Sequence, residues 1–142
     1  MRKRTRARER ALKILYQADI TGKPMAKVAE EFSDTEETQE SEVLDFSKRL
    51  VLGVELNLGV IDKKICEYAT NWEFKRIAII DRNILRLGIF ELMHAPDVPP
   101  KVTINEAVEL AKKYGDLDSS KFVNGILDNI HKTEILPQNK KS

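Results

Sequence analysis

"KFVNGIL", residues 121–127, sets Asn124-Gly125 between two apolar pairs, and Asn-Gly so placed is a strong short-range hairpin signal. A hairpin needs alternation on each side of its turn. Here Phe122-Val123 and Ile126-Leu127 are adjacent pairs instead. Phe122, Val123, Ile126, Leu127 and Ile130 fall on one helical stripe, with Asp118 and Ser119 before it as candidate caps. No other stretch reads as a strand that could pair with it. The segment is therefore expected to be helical and the chain all-α, with about seven helices. Gly125 inside a helix costs about 1 kcal/mol against alanine, so a close approach of another helix backbone is expected there.

The rest of the chain supports this reading. Ala7, Ala11, Leu15 and Ala18 recur at helical spacing up to Gly22, a C-terminal stop. Pro24 opens a short second helix to Phe32, and the polar, acidic stretch 33–41 reads as a connection. Val43, Phe46, Leu50, Val54 and Leu58 carry a third helix, with a break expected near Asn57. Val60, Ile61, Ile65 and Tyr68 continue to about Asn71. Ile77 to Met93 is apolar on almost every side, the pattern of a helix enclosed by others. Pro96, Pro99 and Pro100 end it. The next helix starts either at a Thr103/Glu106 capping box or at Pro100, and ends at Gly115.

Charge narrows the function. The 24 basic and 23 acidic residues nearly cancel over 142 positions, but they are segregated. Arg2, Lys3, Arg4, Arg6, Arg8 and Arg10 crowd the start, whereas residues 28–47 contain no base and eight acids. A charge run is most often a solvated face. Arg6 and Arg10, however, are i,i+4 neighbours that would present a compact patch to phosphates. No glycine-rich phosphate loop, metal-spaced cluster or nucleophile with a matching base is visible, so no catalytic residue, cofactor or metal is expected. The lone Cys66 and the lack of a secretory or membrane-spanning apolar run point to a reducing cytoplasm.

Three stretches, "RARERALKILYQAD" (6–19), "DRNILRLGIFEL" (81–92) with "DVPPKVTINEAVELAKKYG" (97–115), and "SKFVNGILDNI" (120–130), together resemble the NusB family of bacterial transcription antitermination factors. The resemblance spans nearly the whole chain, although residues 23–57 match only in helical character. It implies one helical domain over 1–136, three N-terminal helices (1–58) packed on a four-helix bundle (59–136), with 137–142 a polar tail. It also implies a non-enzymatic role: binding single-stranded boxA RNA with the ribosomal protein NusE, and helping RNA polymerase read through terminators, notably in ribosomal RNA operons. Members occur as monomers or homodimers. A related domain is fused to an RNA methyltransferase, but this chain is too short for the extra domain.

The resemblance assigns residues as well. Its match covers Arg4, Arg6 and Arg8, which would meet RNA phosphates; Arg2, Lys3 and Arg10 join them on charge and helix spacing. Lys121 would add a phosphate contact, Asn124 base-edge or ribose hydrogen bonds, and Phe122 a stacking face, although spacing alone reads Phe122 as core. Asp118 would cap its helix or accept hydrogen bonds from bases. Tyr16, expected to be half-buried, would lie near both RNA and NusE. Trp72, Glu73 and Asp81 would face NusE. On residues alone, Trp72 with Phe74 is a packing anchor between subdomains, and Asp81 points away from its helix's apolar stripe. The alternative from another class is a helical protein-interaction scaffold without sequence-specific RNA binding.

Overall fold

A computed structural model describes residues 2–35 and 40–137. Among them the chain forms seven α-helices and no strand: α1 (Lys3–Thr21), α2 (Met25–Thr35), α3 (Ser41–Leu56), α4 (Leu58–Tyr68), α5 (Ile79–His94), α6 (Pro100–Tyr114) and α7 (Ser119–Ile130). A single 3-10 turn, Phe74–Arg76, precedes α5, and a π-helical turn, His131–Ile135, extends α7. The expected acidic connection lies partly outside the described residues, and α2 runs past Phe32 to Thr35.

Helix boundaries follow local chemistry. Gly22 takes the left-handed conformation (φ 74°) and its N–H donates to the Ala18 carbonyl, closing α1. At Asn57 the backbone N–H donates to Gly53 and Val54 carbonyls, and the side-chain amide donates to Gly53 at 2.8 Å. That residue both ends α3 and starts α4. Of the two proposed starts for α6, the proline is right: Pro100 is the first helical residue. Thr103 and Glu106 form no capping box. They sit inside the helix and bond sideways, Thr103 to Glu91 and Glu106 to α1.

The enclosed helix is α5. Every residue from 83 to 92 is buried, and α1, α3, α4, α6 and α7 all pack on it. Two charged groups are enclosed with it. Arg86 forks onto Asp62 at 2.8 and 2.9 Å and reaches Asp19 at 3.1 Å. Glu91 receives Arg8. These pairs, with Arg82 to Asp19 at 2.9 Å, lock α1 antiparallel to α5.

The expected close approach at Gly125 is absent. Gly125 is exposed, and a Cβ there would meet nothing within 4 Å. Close packing falls at Gly88 of α5 instead, where a Cβ would lie 2.7 Å from a Leu127 methyl, and at Gly53 of α3, against the Phe90 ring.

Candidate functional site

The basic start is not one patch. Arg2 is exposed and has no carboxylate partner among the described residues. Lys3 lies 3.5 Å from Glu42 and 3.8 Å from Glu40. Arg4 reaches Asp97 at 3.5 Å and rests over the Phe46 ring, 4.3 Å from its centroid. Arg6 donates to Glu40. Arg8 and Arg10, both expected at phosphates, turn inward instead. Arg8 is 3% exposed; its Nε and one terminal nitrogen fork onto Glu91 at 2.9 and 2.7 Å, and the other reaches Glu106 at 3.2 Å. Arg10 is buried and donates to Ser47 of α3 at 3.2 Å. The i,i+4 face shared by Arg6 and Arg10 exists, but α3 covers it at Arg10 and leaves Arg6 partly exposed beside Glu40. The physical reason is the 100° turn per residue: successive basic positions on one helix meet different neighbours.

The second cluster lies at the junction of α5 and α7. Trp72, Arg76, Ile77, Ala78, Asp81, Asp116, Asp118 and Phe122 line a pocket of about 270 Å³. Trp72 meets Phe122 edge-on, ring centroids 5.8 Å apart. Trp72 is 55% exposed, so it does not serve as a packing anchor between subdomains. Phe122 is half-buried, one part packed on the core and another facing the pocket. Asp81 is buried rather than turned to solvent, and its Oδ1 has no hydrogen-bond partner. Burial pushes its carboxyl up, a hydrogen bond with Ser119 opposes this, and the nearby Asp116 charge adds to the rise. Lys121 and Asn124 are exposed on the outer side of α7. Asp118 precedes α7, but its side chain makes no capping bond. Glu73 is exposed and lies 3.6 Å from Arg76.

A groove of about 810 Å³ between α1 and α6 runs from the first cluster toward the second, lined in part by Arg2, Thr5, Glu9, Lys112 and Lys113. Burial pushes the Glu9 carboxyl up, but hydrogen bonds from Lys113 and Tyr114 outweigh it and hold the group below the ordinary glutamate range. Tyr16 follows Glu9 by two helical turns, so it continues the same stripe of α1, half-buried as expected. From Arg2 to Tyr16 this stripe is about 21 Å long. The two clusters thus stand at opposite ends of an elongated face rather than side by side. Exposed cations lie at one end, aromatic faces and carboxylates with Arg76 at the other, and Lys112 and Lys113 interleaved with Glu9, Glu106 and Glu109 between. That spacing suits an extended ligand better than a compact one.

Nothing in the sequence marked Glu91, Glu40 and Asp97 as partners of the N-terminal cations, and Glu106, read as half of a capping box, is another such partner. Only the charge excess at the start of α1 hinted that so many cations would need partners. Among the described residues no helix is long and apolar enough to cross a membrane, and no group of three His, Cys, Asp or Glu side chains is placed to hold a metal ion.

Comparison with known proteins identifies the architecture. The sequence profile of the NusB family matches residues 5–132. The transcription antitermination protein NusB of Anaeromyxobacter dehalogenans is 48% identical over 128 residues, 90% of this chain and 89% of that protein. T. maritima NusB superposes with a TM-score of 0.87 at 36% identity, covering 98% of this chain and 97% of that one. A chain in the crystal structure of antitermination factors NusB and NusE in complex with double-stranded RNA gives 0.83 at 31% identity, covering 93% and 98%. With its family profile matched almost end to end, this chain belongs to the NusB family.

Proposed function

We propose that this chain is an RNA-binding antitermination factor. It takes up an unpaired boxA-type RNA element together with NusE, joins the RNA polymerase antitermination complex, and promotes read-through of terminators, notably in ribosomal RNA operons. The observation that carries this reading is the likeness, across 93% of the chain, to a relative solved with NusE and RNA. The elongated face supports it. An A-form duplex offers backbone and a shallow groove but hides its base faces, whereas unpaired bases stack on aromatic rings. Phe122 beside Trp72 provides such rings.

In this reading Arg2, Lys3, Arg4 and Arg6 meet phosphates, Tyr16 lies along the path, and Lys121, Phe122, Asn124 and Asp118 receive the far end of the strand. Trp72, Glu73 and Asp81 form the NusE side. One pocket is lined by residues of both sets, which supports a reading in which RNA and NusE meet at that end of the face. Its carboxylates also suit a basic protein surface, which keeps a protein-only scaffold as the second reading.

Two variants test the RNA assignment. Lys121→Ala should weaken all RNAs alike and lower the salt slope by about one. Phe122→Ala should lose about 1–3 kcal/mol of affinity while keeping the slope, because stacking releases no counterions. Melting curves should accompany both, since Phe122 is half-buried. RNA affinities unaltered by either substitution would favour the scaffold.

A further inference from the structure

The first turn of α1 is covered by carboxylates from elsewhere in the chain. Glu40, immediately before α3, accepts a hydrogen bond from Arg6, and its other oxygen lies 3.8 Å from the Lys3 ammonium. Glu42 lies 3.5 Å from that ammonium. The Arg6 hydrogen bond holds the Glu40 carboxyl below the usual range. None of these side chains is fully buried: Lys3, Arg6 and Glu40 are 50%, 35% and 42% exposed, although the Arg6 Nε itself is enclosed. Exposed ion pairs contribute little to folding, so the fold alone gives weak reason for two glutamates to converge there. The cations they hold are the ones an RNA backbone would need.

We propose that Glu40, seconded by Glu42, is an autoinhibitory contact: a tethered anion that occupies Arg6 and Lys3 until RNA phosphates displace it. This rests on the RNA-binding reading above. Both carboxylate and phosphate are oxyanions that accept from the same guanidinium. The carboxylate is held in place by the chain at high effective concentration. Displacement therefore opposes every RNA equally, and the displaced glutamates remain close enough to repel the bound backbone. Phosphate attraction is sequence-independent. Lowering it reduces occupancy by arbitrary RNA at a given concentration, and retention is left to base contacts at the far end of the face.

The test compares wild type and Glu40→Gln by fluorescence anisotropy with a boxA-like oligonucleotide and a scrambled one of equal length. At low salt Glu40→Gln should bind both about threefold to tenfold more tightly, as expected for losing two exposed ion pairs. The ratio between the two RNAs should not change, and the gain should shrink as salt screens both competitors. In an Arg6→Ala background the same substitution should give a smaller gain, because its main partner is gone. Glu42→Gln, touching Lys3 alone, should give a smaller increase and serves as the second probe if Glu40→Gln folds poorly. Equal or weaker RNA binding by folded Glu40→Gln overturns the inference and leaves RNA binding standing. Failure of both proteins to bind either RNA overturns the RNA reading and this inference together.

Discussion

Replacing Arg8 with methionine should destabilise the fold by about 3–5 kcal/mol, the usual consequence of stranding one partner of a buried ion pair. Glu91 is 2% exposed, and its hydrogen bonds come from the Arg8 fork and the Thr103 hydroxyl, with the Arg49 charge nearby. Arg8 also reaches Glu106, which receives the Thr5 hydroxyl, so the substitution loosens α6 from α1 as well. Urea denaturation measures the loss. Arg8→Met with Glu91→Leu should recover most of it, because apolar groups of similar volume replace a buried pair with little net cost. A loss below about 1 kcal/mol, accompanied by a large fall in RNA affinity, would return Arg8 to the phosphate-contacting role that the family resemblance implies.

Gly88→Leu should destabilise by about 3 kcal/mol, the upper end of ordinary overpacking. A Cβ at position 88 would lie 2.7 and 3.0 Å from the two Leu127 methyls, and Leu127 is fully buried between α5 and α7. Neither helix can retreat without opening the core they share. Gly125→Ala should do the opposite and raise stability by about 1 kcal/mol, the difference in helix propensity, since its Cβ enters open space. Thermal melts followed by circular dichroism check both. A tolerated Gly88→Leu, or a destabilising Gly125→Ala, would mean that the α5–α7 contact differs from the one described.

The contrast between those two glycines marks the limit of what the sequence makes legible. Apolar spacing identified the helices, the enclosure of α5 and the helical state of residues 121–127, because those depend on neighbours within a turn or two. Gly22 and Asn57 were legible as punctuation for the same reason. Which glycine admits a neighbouring helix depends on where that neighbour lands, and nothing local records it. The same holds for charge. Arg6, Arg8 and Arg10 look alike in sequence, but Arg8 finds Glu91 83 residues away and Arg10 finds Ser47 37 residues away. Thr103 and Glu106 have capping-box spacing but serve lateral bonds to α5 and α1. Of the candidate site, the residue types at both ends were legible from motif resemblance. Their separation along α1, the exposure of Trp72 and the burial of Asp81 required the packed helices.

On the proposed function, the elongated face between Arg2 and Phe122 reads an unpaired RNA sequence in concert with NusE. Titrating the intact protein, at one fixed salt concentration, with a boxA-like RNA and a scrambled RNA, each with and without NusE, decides this. The boxA-like RNA should be preferred, and the preference should widen when NusE is present. Equal affinity for the two RNAs, unchanged by NusE, would contradict it.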